Sequence, residues 1–277
     1  MRIMDINSLN TSIWKAIRAL YLSDPLTHAY LMYDLIYCFE EIELYFALDN
    51  GYLAGYLLIW YGPRSYGVHI WGKIVELLNY VPTDGNIIIQ VYDMDFANII
   101  MDHLKEIGLQ NIEVATFINM VASSSKFRAF KHKGTTPLSS DREDHLQHFV
   151  KLKKVQGVSI DKSNAMNILN RWRYYGLFVE DKLVSIACAY LRMPEVWIIG
   201  DVFTHPDYRG RGYAKAVTSA ITNDAIVSGA KALLHVRVDN EPAIRVYRAI
   251  GYEEVSRRPW IMFTKSVSYT HLTLPTN

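Results

Sequence analysis

Residues 209–214 read Arg-Gly-Arg-Gly-Tyr-Ala and stand between a hydrophobic run, Val196–Thr204, and an alanine-rich segment that begins at Tyr213. Glycine lets a backbone approach a ligand closely, with no Cβ in the way. The N–H groups that open a helix lack intrahelical partners and carry partial positive charge, so they attract anions. Arg209 and Arg211 add guanidinium donors suited to phosphate oxygens. The chemistry available to this stretch is therefore the holding of a phosphate. Two familiar forms of it are absent. No GxxxxGK[ST] run occurs, and Gly210 and Gly212 are not followed by the third glycine of GxGxxG, because Lys215 stands there. Taken alone, the stretch is equally a basic surface turn, and its surroundings must decide.

Those surroundings are an alternation of strands and helices. In the second half, the runs GLFVE and LVSIACAYL predict two strands around a turn at Asp181-Lys182, and VWIIGDVFT predicts a third, buried on both faces. After the glycine-rich loop, residues 213–230 carry apolar positions at helical spacing and stop at Gly229. ALLHVRV is a strand. Asn240 then caps a helix with Pro242 in its first turn and Gly251 at its end, and residues 252–263 supply a last strand or strand pair. Upstream, residues 140–152 and 162–172 are expected to be helical. The first half runs in a similar order: helical patterns over Ser8–Leu20 and Thr27–Phe39, strands around an Asn50-Gly51 turn, a third strand at YGVHIWG, a short KIVELLNYV segment, then strand, helix and strand. The order repeats without residue identity, which points to a diverged duplication. In the first copy the segment after the third strand has neither the second glycine nor the arginines.

The expected fold class is α/β, a mixed sheet in each of two tandem domains, residues 1–125 and 126–265, with the join in the polar turn-forming stretch near 120–140. Residues 266–277 show no helical period, resemble translated adapter sequence, and are excluded from the fold reading. Half of the 277 residues are hydrophobic and 21% are charged, the balance of a soluble globular protein. No run reaches the roughly 18 apolar residues of a membrane span, and the first residues do not form a secretory leader. Two widely spaced cysteines, Cys38 and Cys188, argue against a disulfide framework or a cysteine zinc site. A cytoplasmic location without membrane attachment follows as the expectation. Residues 1–130 carry a net charge of −6 and residues 131–277 one of +7, so the basic half is the one with the phosphate-type loop. No basic run or binding motif points to nucleic acid.

The run from Val202 to Ala214, V-F-T-H-P-D-Y-R-G-R-G-Y-A, resembles the V-x-x-x-P-x-x-R-G-x-G-x-A signature of the GCN5-related N-acetyltransferase (GNAT) superfamily. Some way on, DNEPAIRVYRAIGYEEV resembles the family's second motif, N-x-x-A-x-x-x-Y-x-x-x-G-[FY], with Asn240, Ala243, Tyr247, Gly251 and Tyr252 at the matching positions. The resemblance covers residues 126–265 and is strongest over 196–255, where it also resembles the glycine N-acyltransferase branch with its FR47-like C-terminal domain. The first half resembles the family in strand order only, as a degenerate acyl-CoA N-acyltransferase-type domain.

The resemblance implies acetyl-CoA as cosubstrate, with no metal, and direct attack on it by a primary amine, either of a small molecule or of a protein N-terminus. A homodimer is compatible with it. Arg209, Gly210, Arg211, Gly212, Tyr213 and Ala214 would wrap the pyrophosphate; Val202, Phe203 and Thr204 would bond the pantetheine arm through their backbones. Asn240 would contact the pantetheine or cap its helix, and Tyr247 would either protonate the leaving thiolate or pack in the core. The amine needs a proton acceptor, and here the sequence departs from the pattern. Many relatives place a glutamate within the third strand, whereas Val196–Gly200 holds no carboxylate. Asp201 is the preferred candidate, although strict alternation places it opposite Val202 unless a bulge re-aims it. His205 and a water relay remain open. So do an acyl donor longer than acetyl, and a module that binds acyl-CoA without turnover. His145 and His148 have a metal-like spacing, but without a third ligand they are expected on a solvated helix face.

Overall fold

Two residues with positive φ, Asn50 (48°) and Gly51 (85°), fold the strand Ile42–Asp49 (β2) back on Tyr52–Tyr61 (β3), the tight turn expected of Asn-Gly. The computed structural model describes residues 1–265; the adapter-like tail lies outside the described residues. The chain forms two compact units. Among the described residues the first comprises 1–23, 34–116 and 258–265, and the second 24–33 and 117–257. The expected join at 125/126 thus lies close to the 116/117 break, while two further segments, 24–33 and 258–265, are assigned across it. Among the described residues no helix is long and apolar enough to cross a membrane.

In the first unit, Arg2–Asp5 (β1) precedes the helices Thr11–Ser23 (α1) and Pro25–Tyr37 (α2), the latter giving residues 25–33 to the second unit. After β2 and β3 come Tyr66–Trp71 (β4), Gly85–Val91 (β5), the helix Met94–Glu106 (α3) and Glu113–Ala122 (β6), which passes into the second unit at residue 117. Asp93 caps α3 by accepting from the Phe96 N–H at 3.0 Å. Within this unit the strands are ordered β1-β2-β3-β4-β5, and the C-terminal part of Glu253–Lys265 (β12) pairs antiparallel with β5. Leu57, Ile59, Val68, Ile70, Ile87 and Ile89 form the unit's core with Phe96, Ile100 and Leu104 of α3 and with Ile261 and Phe263. β4 and β5 are parallel from Tyr66↔Ile87 to Ile70↔Val91 without a break. Between them the KIVELLNYV segment forms a 3-10 turn, Val75–Tyr80.

The second unit comprises Thr135–Pro137 (β7), Glu143–Val155 (α4), Lys162–Arg171 (α5), Arg173–Val179 (β8), Lys182–Arg192 (β9), Val196–Thr204 (β10), Tyr213–Val227 (α6), Lys231–Arg237 (β11) and Glu241–Ala249 (α7). Its strands are ordered β6-β11-β10-β9-β8-β7, antiparallel except for β10 beside β11. One face packs Val184, Ala187, Ala189 and Ile199 against Ala216, Val217 and Ile221 of α6 and Ile244 of α7. The alternate residues of β9, Ile186 and Cys188, pack on the other face with Phe149 of α4 and Leu169 of α5. Both units therefore build antiparallel strands up to one parallel pair, a mixed α/β architecture given twice. Among the described residues only the second unit has an α-helix leading out of the first strand of that pair.

The matched glycine of the second motif has a structural reason. Gly251 follows α7 with φ 95°, and its neighbour Tyr252 donates its N–H back to the Tyr247 carbonyl at 3.1 Å. A Cβ at Gly251 would stand 2.0 Å from the Lys126 carbonyl oxygen, so the fault would fall on two backbones. Gly251→Ala is expected to cost about 3 kcal/mol, from left-handed strain and overpacking together, which lowers Tm by roughly 6–12 °C. Thermal unfolding followed by circular dichroism reads it; a shift under 2 °C would show that the contact is absorbed.

Candidate functional site

The parallel pairing of β10 and β11 runs from Val196↔Lys231 to Ile199↔Leu234 and goes no further. Beyond it, Gly200–Thr204 continues beside β9 and His235–Arg237 continues beside β6, so each strand keeps its outer partner while the two part from one another. A wedge opens between them. On the β9 side the register shifts between Gly200 and Phe203, a bulge that contains Asp201 and Val202. Strict alternation from Ile199 would turn Val202 away from the α6–α7 layer; after the bulge, Val202 packs in it with Ile199.

A cavity of about 740 Å3 occupies the α6–α7 side of this wedge. Its floor is Val202, Phe203 and Thr204; one wall is Tyr208–Gly210 with Gly212–Lys215, and the other is α7, through Asn240, Arg245 and Tyr247 among others. Gly212 is the residue before α6, with φ 80°, and offers no side chain to cap it. The first helical N–H with a backbone partner is that of Ala216, which donates to the Gly212 carbonyl. No acidic residue stands in the first turn of α6. The helix start thus presents unpartnered backbone N–H groups with no acidic side chain beside them, an arrangement that suits an anion. Lys215 stands 3.8 Å over the Phe130 ring, which holds a cation at the cavity edge.

The expected site residues are not treated alike. Val202, Phe203, Thr204, Arg209, Gly210, Gly212, Tyr213, Ala214, Asn240 and Tyr247 all line the cavity. Arg209 also donates through Nε to the Thr204 carbonyl at 3.2 Å, which ties the loop to the end of β10. Arg211 is not among the lining residues; its guanidinium lies over the Tyr208 ring, 5.4 Å from the centroid. Asn240 caps α7, Oδ1 accepting from the Ala243 N–H at 3.3 Å, and still faces the cavity. Tyr247 is 8% exposed, and burial pushes its phenol up to about 12, so the hydroxyl keeps its proton. His205 accepts from the Asp207 N–H through Nδ1 and caps the short turn Pro206–Tyr208, outside the cavity lining.

Asp201 points away from the cavity, to the α4 side. Its carboxylate accepts from Lys153 Nζ (2.8 Å), Gln156 Nε2 (2.8 Å) and Tyr174 Oη (2.7 Å). Among the described residues no aspartate, glutamate or histidine lines the cavity. Neither Lys153 nor Tyr174 carries a local signal for this pairing: one repeats a basic helix pattern and the other an aromatic strand pattern. A second polar group without a local sequence signal lies at the wedge: His235 Nδ1 meets Asn119 Oδ1 at 2.6 Å, Tyr30 stacks on His235, and Tyr30 Oη meets Tyr190 Oη at 2.6 Å. The Tyr190 ring fits only because position 200 has no Cβ, which would stand 2.7 Å from it. His145, expected on a solvated face, is buried; its Nδ1 accepts from the Ser139 N–H, and burial lowers its pKa. Among the described residues no cluster of three or more His, Cys, Asp or Glu side chains is placed to hold a metal.

Residues 174–261, from β8 to β12, match the family model described as FR47-like protein. Over these residues the chain is similar to the FR47-like family. Shorter stretches are similar to curated proteins. A Yersinia pestis (strain Pestoides F) acetyltransferase is 44% identical over 50 residues, 18% of this chain and 36% of that protein. An uncharacterized Mycobacterium leprae protein is 36% identical over 90 residues, 31% of this chain and 24% of that one. The chain thus spans about a quarter to a third of the length of these relatives. Solved structures share the fold at low identity. A GCN5-related N-acetyltransferase-like protein from Streptococcus suis has a TM-score of 0.61 at 15% identity, covering 90% of this chain and 98% of its own. A tandem GNAT protein from the clavulanic acid biosynthesis pathway gives 0.60 at 11%, covering 95% and 98%. The tandem GNAT architecture agrees with the two mixed α/β units of this chain.

Proposed function

We propose that the second unit binds acetyl-CoA in the cavity and catalyses transfer of its acetyl group to a primary amine. The observation that carries this reading is a single cavity that joins unpartnered helix N–H groups at α6 to an open wedge between two parallel strands, with Tyr247 on its wall. The FR47-like match and the GNAT fold support acyl transfer as the reaction class. In this reading residues 209–214 take the diphosphate and the backbone of Val202–Thr204 takes the amide-bearing arm. The amine nitrogen forms the new C–N bond as the C–S bond breaks. Tyr247 gives its proton to the departing sulfur, and the ammonium proton passes to water. The acceptor, a small amine or a protein N-terminus, approaches through the wedge from the side of Tyr190 and His235. A cytoplasmic setting and independence of metals and nucleic acid belong to the same reading.

A second reading, binding of acyl-CoA without turnover, is favoured by one observation: no acidic or imidazole side chain lines the cavity. Release of free CoA from acetyl-, propionyl- and longer acyl-CoA, measured against a library of amines and N-terminal peptides, separates the two. Acceptor-dependent release is the expected result. Tight CoA binding with no release across the library would favour the binding module, and no CoA binding would remove both.

A further inference from the structure

The polar group on the α4 side of β10 has no place in the reaction above, yet it is the most heavily engaged carboxylate of the second unit. Asp201 has φ 48°, a left-handed conformation that side-chain-bearing residues avoid and that aspartate and asparagine tolerate best. It sits inside the register break of β10, between the pairs Gly200↔Cys188 and Phe203↔Ile186. Its three donors come from two elements: Lys153 and Gln156 from the end of α4, Tyr174 from β8. The Lys153 side chain is only 4% exposed, so an ammonium has been taken out of water to reach this carboxylate. Such a pair is strongly felt when one partner is removed, because the other charge then stays buried alone.

What the pair holds is visible on the other face of the strand. Residues 202–204 line the cavity, and Val202 faces it only because the bulge reverses the alternation one residue earlier. A bulge left to itself can relax to regular pairing by one residue, which flips every later side chain and N–H. We infer that Asp201 is a positioning residue: its tether to Lys153, Gln156 and Tyr174 locks the bulge in β10 and so fixes the backbone of Val202–Thr204 against the acyl-CoA arm. This rests on the acyl-CoA reading of the cavity for its functional half and on the strand geometry alone for the other. It also gives Asp201 a role other than the proton acceptor that its position suggested.

Three variants separate the tether from backbone strain and from base catalysis. Asp201→Asn and Asp201→Gly both tolerate the left-handed φ, but the first lacks the charge and the second the whole anchor. Lys153→Met leaves Asp201 in place and removes its counter-charge. Amide hydrogen exchange over residues 200–205 of the full chain, without ligand, reads the bulge; calorimetry with CoA and steady-state rates read the cavity. Faster exchange at 200–205 is expected in all three, with CoA affinity and acetyl-CoA KM worsened about 10- to 100-fold, as for a small misplacement of a binding backbone. The double variant Asp201→Asn/Lys153→Met removes both charges together and is expected to recover most of the affinity lost in Lys153→Met; it also serves if a single variant does not fold. Unchanged exchange and affinity in Lys153→Met would overturn the tether. So would loss of kcat in Asp201→Asn with CoA affinity and the Lys153→Met enzyme both normal, which is the pattern of a base. If the wild-type chain binds no CoA, the acyl-CoA reading falls, and the exchange data still decide the tether.

Discussion

Gly212→Val is expected to weaken CoA binding about 100-fold or more while the fold survives. The argument is one of backbone and not of space. A Cβ at this position would meet only the Phe130 ring, at an ordinary 3.9 Å, so there is room for it. The φ of 80° is what valine cannot keep, since a β-branched residue in the left-handed region is a true outlier. The cheapest relief is to unwind the start of α6, where Gly212 is the residue before the helix. That motion turns the N–H groups of Tyr213, Ala214 and Lys215 away from the cavity they line. Hydrogen bonds to a charged group contribute about 1.5–3 kcal/mol each, so losing two removes at least about two orders of magnitude in affinity. Gly212→Asn, which tolerates the same φ, should lose much less. Calorimetry with CoA on both variants tests it, and equal affinities in wild type and Gly212→Val would remove the phosphate assignment of the loop.

The second large effect concerns the chemical step. Tyr247→Phe removes one oxygen and keeps the ring that packs beside Tyr252 in the α6–α7 core. CoA affinity should stay within about twofold of wild type, while single-turnover transfer falls by roughly 10²-fold, the lower end for a general acid because a thiolate leaves readily. The pH dependence gives an independent check. Burial raises the phenol from its ordinary 10.0 to about 12, so the folded protein holds this proton where the unfolded chain begins to lose it. The stabilisation that results is complete below pH 10 and is lost as the pH rises towards 12. The hydroxyl thus remains a donor across the working range, and the rate of transfer should show no alkaline limb from Tyr247 below about pH 11. A wild-type transfer rate in Tyr247→Phe, where chemistry limits, would reduce Tyr247 to a packing residue.

Local signals carried the positioning elements well. The limits of β10 were read from one apolar run, the start of α6 from its glycines, and the Asn240 cap from its place between a strand and a helical pattern. KIVELLNYV, whose apolar spacing alone would fit a helix, forms only a six-residue 3-10 turn. The environment of Asp201 was not legible at all. Its alternation was, but the bulge that alters it is sustained by Lys153 and Tyr174, far away in the chain, and no local pattern encodes such a pairing. His145 failed for a related reason: a polar helix pattern cannot announce that a backbone N–H, that of Ser139, waits to satisfy a buried imidazole. Arg211 was carried over with its loop, yet the aromatic face of Tyr208 holds it instead.

The last strand has a consequence for the order of events at birth. Residues 258–265 close the sheet of the first unit against β5 and put Ile261 and Phe263 into its core. A unit that begins at residue 1 therefore cannot finish before residue 265 has been synthesised. The usual sequence, in which the N-terminal body is complete while the next is still emerging, is reversed for its final step. Until then β5 waits with an unpaired edge and an apolar gap, the state in which a nascent chain most needs a chaperone.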